Sequence, residues 1–216
     1  SISDLTAFSF YATKTLTTGE GGMITTADAE CAKRLQVMRL HGIARDAWKR
    51  YSAEGSWFYE VLEAGYKYNL TDLQAALGLA QLAKCDDMSL GRQRVADRYT
   101  SAFKDIEALQ VPFVPADRTT SWHLYILRLD LERLRIDRNE FIRELSERGI
   151  STSVHFIPLH LQPVYQRDFG YKAGDYPVAE REYQRSLSLP IYSGMREEEI
   201  EYVISSVADV VSERSR

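Results

Sequence analysis

Apolar and polar positions along the chain alternate between strand-like and helix-like periods. Residues 5–11 (LTAFSFY) form a short aromatic and apolar run between polar flanks, which predicts a buried strand. Residues 12–22 (ATKTLTTGEGG) are a turn-rich loop carrying Gly19, Gly21 and Gly22, and residues 23–26 predict a second short strand, an antiparallel neighbour of the first. Asp28 is placed to cap a helix over 29–40, where Ala32, Leu35 and Met38 recur at helical spacing. Residues 42–65 show no period and hold Trp48, Tyr51, Trp57, Phe58 and Tyr59. So long a loop is either functional, packed on a partner, or an ordered surface loop covering a core edge.

Thr71 with Gln74 three residues on makes a capping box, and Leu73, Ala76, Leu77, Ala80 and Leu82 give the helix behind it an apolar, small-residue face. A break is expected near Asp86 and Asp87, then a helix over 90–106 linking two domains. The texture changes after Pro112 and Pro115. Residues 122–129 alternate as a strand, 138–149 predict a helix that Gly149 ends, 152–156 a strand, 179–186 a short helix and 187–191 an extended piece. In 197–211, Ile200, Val203, Ile204, Val207, Val210 and Val211 share one helical face. The domain reading is 1–88, a linking region 89–111, and a small α/β or α+β domain over 112–216.

A chain of 216 residues allows one or two domains, and 44% hydrophobic with 11% aromatic residues excludes disorder, collagen and coiled coil. Acidic residues outnumber basic ones, 31 to 27, for a net charge of −4, which argues against nucleic acid and anionic membrane as partners. Cys31 and Cys85 are too few for a disulfide framework or zinc ribbon; both are expected reduced, in a cytoplasmic protein. No apolar run reaches the ~20 residues of a membrane span, and SISDLTAFSF lacks the features of a signal peptide. The opening at Ser1, without Met and running at once into motif, reads as a chain entered midway or a processed one.

The candidate chemistry centres on Lys14, between a strand and a glycine-rich turn. A desolvated lysine amine can attack a carbonyl, and a glycine-rich turn lets backbone N–H groups approach a phosphate. On those features alone Lys14 reads as a solvated loop lysine, and GEGG without a following Lys-Ser/Thr is no nucleoside-triphosphate loop. His41, His123, His155 and His160 match no standard zinc spacing, so no metal is expected.

The wording of four ordered blocks sharpens this reading. FSFYATKTLTTGEGGM, GYKYNLTDLQAALGLAQL (65–82), RGISTSVHFIPLH (148–160) and SLPIYSGM (188–195) together resemble the DegT/DnrJ/EryC1/StrS family of sugar-nucleotide aminotransferases across nearly the whole chain. The second block is most similar to the branches making 4-amino-4-deoxy-L-arabinose and perosamine. The resemblance implies an aspartate-aminotransferase-like α/β fold of type I, here the C-terminal part of the large domain plus the small domain. It implies pyridoxal 5′-phosphate as cofactor and Lys14 as the lysine that condenses with it and shuttles the proton. Ser9 matches a serine on the cofactor phosphate, Asn69 an asparagine reaching the neighbouring subunit's cofactor phosphate, and His155 a histidine near the nucleotide sugar. Outside the blocks these would read as a strand-edge hydroxyl, a helix-start turn residue and a core or rim histidine.

The reaction so implied moves an amino group from an amino acid, glutamate by expectation, to a keto group, at C4 by expectation, of a UDP-, GDP- or dTDP-linked deoxysugar. It would serve surface polysaccharide or lipopolysaccharide synthesis, in a cytoplasmic homodimer. The alternatives are a pyridoxamine-dependent sugar dehydratase, whose relatives carry histidine where Lys14 stands, and a non-catalytic regulatory or partner protein. Family members run to nearly twice this length. Their other half supplies a ring stacked on the cofactor, a Gly-Thr or Gly-Ser phosphate loop and an Asp at the pyridine nitrogen. The chain is therefore expected to be a poor catalyst alone, with sheet edges and apolar surface exposed.

Overall fold

The computed structural model describes residues 3–43 and 59–216. Trp48, Tyr51, Trp57 and Phe58 of the aromatic loop lie outside the described residues. The chain divides into two compact units, 1–85 and 86–216.

In the first unit, β1 (Leu5–Ser9) and β2 (Gly22–Thr26) pair antiparallel, from Leu5 opposite Thr26 to Ser9 opposite Gly22. Asp28 caps α1 (Ala29–Met38), its Oδ1 accepting from the N–H groups of Glu30 at 2.8 Å and Cys31 at 3.1 Å. The capping box of α2 (Asp72–Leu82) forms in full: Thr71 Oγ1 accepts from the Gln74 N–H at 3.3 Å, and Gln74 Oε1 accepts from the Thr71 N–H at 3.0 Å. Residues 38–43 and 61–68 run antiparallel through the Leu40–Lys67 and Ile43–Val61 bridges. Their closest approach requires two glycines: a Cβ on Gly42 would stand 1.7 Å from the Glu63 carbonyl oxygen, and one on Gly65 would stand 2.1 Å from the Gly42 nitrogen.

The burial predicted for β1 does not hold within this chain. Phe8 is 50% exposed, and no residue of α1 or α2 is buried. Two strands make a ribbon with no second layer of their own, so their apolar side chains stay open.

The second unit carries the core. The break expected near residues 86–87 falls slightly earlier, at 83–84, between α2 and α3 (Cys85–Phe103); Asp86 and Asp87 occupy the first turn of α3, where the exposed N–H groups favour negative charge. Strands β3 (Leu109–Gln110), β4 (Tyr125–Leu129) and β5 (Ser186–Leu189) form an antiparallel sheet with β4 in the middle. On β4 the period of two is explicit: Tyr125, Leu127 and Leu129 are fully buried, and the residues between them are not. Val95, Tyr99 and Phe103 of α3 join that core. So do Phe141 and Leu145 of α4 (Arg138–Glu147), and Ile200, Val207 and Val210 of α7 (Glu197–Arg214). Gly149 ends α4 as predicted, at φ +75°, with the Gly149 N–H on Ser146 O and the Ile150 N–H on Leu145 O, both at 2.9 Å.

Two short helices flank this core: α5 (Pro163–Phe169) and α6 (Pro177–Arg185), each with proline in its first turn. The strand predicted over 152–156 shrinks to one bridge, Ser153 with Ser188, because the chain turns away through Pro158 into a 3-10 turn at Leu159–Leu161. Buried Arg92 ties three loop carbonyls together through one nitrogen, Nη1: Trp122 O at 3.0 Å, His123 O at 3.3 Å and Ile191 O at 3.0 Å.

Candidate active site

Lys14 sits in a loop that is closed at its base. The Phe10 N–H donates to Gly21 O at 2.9 Å, and the Phe10 carbonyl accepts from the Thr18 N–H at 2.9 Å and the Thr17 hydroxyl at 3.1 Å. These bonds carry the β1–β2 ladder one step past Ser9 and leave residues 11–17 as a small excursion. Within it the Lys14 N–H turns back onto Tyr11 O at 2.9 Å, and the side chain is half-buried. Thr18 is the buried anchor: its hydroxyl donates to Glu20 O at 2.6 Å. The glycines at this base are required by space. A Cβ on Gly21, at φ +149°, would meet Thr18 Oγ1 at 2.4 Å, and one on Gly22 would meet the Phe8 carbonyl oxygen at 2.8 Å.

The same loop is fastened to α2. A Cβ on Gly78 would lie 3.1 Å from the Thr18 methyl group, so the helix carries glycine where the threonine approaches. The Gln74 side-chain amide donates to Glu20 O at 2.8 Å. Asn69, half-buried, precedes the Thr71 cap of that helix. Ser9, exposed, ends β1, and its Oγ accepts from the Tyr11 N–H at 3.4 Å, a long contact that leaves the hydroxyl proton to donate elsewhere.

The fold therefore places Lys14, Ser9 and Asn69 in one unit. His155 belongs to the other, with Nδ1 2.8 Å from the Ser188 hydroxyl oxygen and its ring edge-on to Phe156 at 4.6 Å. An amine in a fixed turn, with a hydroxyl at the adjoining strand end and glycines that let backbone come close, is a donor set suited to an aldehyde bearing a phosphate. Among the described residues no group of three or more His, Cys, Asp or Glu could hold a metal ion, and no helix is long and apolar enough to cross a membrane.

Sequence reading found the Thr71–Gln74 box but missed what the far end of Gln74 does, since a contact to Glu20 is 54 residues distant. It also missed Ser188 and the contact of buried His160 with partly exposed Glu180, 2.8 Å apart, in which Glu180 accepts from the Gly174 N–H as well. The His160 contact holds the Glu180 carboxyl below its usual range.

The DegT/DnrJ/EryC1/StrS aminotransferase family profile matches residues 1–208. The chain is 52% identical over 212 residues to the spore coat polysaccharide biosynthesis protein SpsC of Bacillus subtilis, covering 98% of this chain and 54% of SpsC. It is equally identical, over the same length, to the uncharacterised protein MJ1066 of Methanocaldococcus jannaschii, of which it covers 55%. Among solved structures, Helicobacter pylori PseC, an aminotransferase of pseudaminic acid biosynthesis, superposes with a TM-score of 0.86 at 27% identity, over 98% of this chain and 54% of PseC. Spr1654 of Streptococcus pneumoniae, described as a sugar aminotransferase, superposes in its PMP form with a TM-score of 0.85 at 35% identity, over 99% of this chain and 54% of Spr1654. A PLP form of Spr1654 matches comparably. The chain spans about half the length of the curated relatives it matches. The mixed α/β fold is the type I fold of these pyridoxal-phosphate sugar aminotransferases, and the chain belongs to the DegT/DnrJ/EryC1/StrS aminotransferase family.

Proposed function

We propose that this chain forms the C-terminal part of a pyridoxal-phosphate sugar-nucleotide aminotransferase, with residues 1–88 closing the large domain and 112–216 making the small one. The reaction transfers an amino group from an amino acid, glutamate, to the C4 keto group of a nucleotide-linked deoxysugar destined for surface polysaccharide. One observation carries the reading: Lys14 stands in a turn closed by the Phe10–Gly21 and Phe10–Thr18 bonds, within a family match over residues 1–208. The related SpsC belongs by name to spore coat polysaccharide biosynthesis, and PseC to the biosynthesis of pseudaminic acid.

Lys14 Nζ is the group that would hold the cofactor and carry the proton between the reacting substrate carbon and the cofactor. Ser9 Oγ would bind the phosphate. Asn69 would bind the phosphate of the partner's cofactor across a homodimer, and His155 would face the nucleotide sugar. When bound, pyridoxal phosphate supplies the electron sink that makes the substrate carbon acidic. A fixed turn matters here because an amine that must both bind and shuttle a proton needs its backbone stationary.

The test is amino transfer from glutamate to nucleotide-linked 4-keto sugars by the holoenzyme, followed by chromatography of the products. Lys14→Ala abolishes product formation on this reading. A variant that still aminates the sugar would exclude it, and a wild type that removes a hydroxyl without adding an amine would point to a dehydratase.

A further inference from the structure

The geometry points to Ser188 as the positioning residue of His155, fixing the imidazole so that Nε2 is presented to substrate as a hydrogen-bond donor. This rests on the proposed substrate-facing role of His155.

Ser188 is a fixed point. Its backbone pairs with Ile126 on β4 in one direction and with Ser153 in the other, through Ser153 N–H to Ser188 O at 3.2 Å and Ser188 N–H to Ser153 O at 2.7 Å. Leu187 and Leu189 on either side are buried, and Ser188 itself is 5% exposed. Among the described residues, the His155 backbone has no such pairing. It follows the single bridge at Ser153, where the chain leaves the sheet; Phe156 beyond it is 75% exposed. The link between the half-buried ring and the sheet is the 2.8 Å contact from Nδ1 to Ser188 Oγ.

The direction of that bond follows from burial. If Nδ1–H donated to Oγ, the buried hydroxyl would need another acceptor for its own proton, and among the described residues it makes no other hydrogen bond. If the hydroxyl donates to Nδ1, both groups are satisfied and the neutral ring carries its proton on Nε2. Nε2 makes no hydrogen bond among the described residues, so it is the ring atom left for an oxygen of the sugar nucleotide.

The chain has four histidines, so histidine-selective 15N labelling of the full chain with long-range 1H–15N spectra reads each ring, and His155→Ala assigns the relevant one. The expected result is that the neutral form of the His155 ring carries its proton on Nε2 alone, becoming a tautomer mixture in Ser188→Ala and returning to Nε2 in Ser188→Thr. A ring protonated on Nδ1, or spectra unchanged by Ser188→Ala, overturns the inference. In the holoenzyme, Ser188→Ala raises KM for the sugar nucleotide about five-fold, the worth of one net hydrogen bond, with kcat little changed. Ser188→Ala adds nothing further on top of His155→Ala. A KM raised by His155→Ala but not by Ser188→Ala contradicts the inference. A KM indifferent to His155→Ala removes the substrate role of His155, and with it that of Ser188, whatever the spectra show.

Discussion

Gln74 donates its side-chain amide to the carbonyl of Glu20 at 2.8 Å while its Oε1 accepts from the Thr71 N–H at 3.0 Å. One side chain thus caps α2 and holds the loop that carries Lys14. The two ends of the amide are chemically distinct, which separates their effects. Gln74→Glu keeps the cap and loses the donor to Glu20; we expect about 1 kcal/mol of destabilisation in urea unfolding. Gln74→Ala loses both, and we expect about 2 kcal/mol. Equal stability of wild type and Gln74→Glu would show that the tie to Glu20 contributes nothing.

Gly91 faces the loop after β5. A Cβ there would lie 2.4 Å from the Ser193 carbonyl oxygen and 3.0 Å from its Cα, both backbone. The neighbouring residues of that loop are held by Arg92 to Ile191 O, Tyr99 to Pro190 O at 2.9 Å and Arg94 to Met195 O, so it has little room to move. Helix propensity alone favours alanine by about 1 kcal/mol. The clash is expected to reverse that sign, and thermal denaturation of Gly91→Ala should show a loss of about 2 kcal/mol. A raised melting temperature would mean the loop yields.

The start of α7 sets an acid limit. Glu199 is held down to about 2, first by the Arg196 backbone N–H at 2.8 Å, then by the Arg196 guanidinium and the Tyr192 hydroxyl at 3.0 Å. A carboxyl whose folded value lies below its unfolded 4.5 stabilises the protein fully above pH 4.5, and that contribution drains away as pH falls toward 2. Glu199→Gln should flatten the dependence of stability on pH in that window and leave the slope above it unchanged. High salt should weaken the wild-type slope, since the pair is partly exposed. Identical acid-limb curves for variant and wild type would rule the contact out.

Sequence legibility followed locality. The capping box at Thr71, the Asp28 cap and the glycine end of α4 are contacts between residues within five positions, so pattern alone exposed them. The core face of α7 was legible because Ile200, Val203 and Val207 repeat at helical spacing. What escaped were elements too short to carry a period, such as β3 at two residues, and the helix start at Cys85, where Asp86 and Asp87 suggested a break. The site shows the same division. Lys14 stood out by its neighbours in the chain. The bonds that hold it or its companions in place, Gln74 to Glu20 and Ser188 to His155, span 54 and 33 residues and left no local trace.

The account as a whole depends on Lys14 being the residue that takes the cofactor. Borohydride reduction of the holoenzyme loaded with pyridoxal phosphate, followed by peptide mapping, tests this directly. The account predicts the cofactor fixed on the peptide containing Tyr11 to Thr15, at Lys14, and no labelled peptide from Lys14→Ala. Label on a different lysine, or an unlabelled wild type, would contradict it.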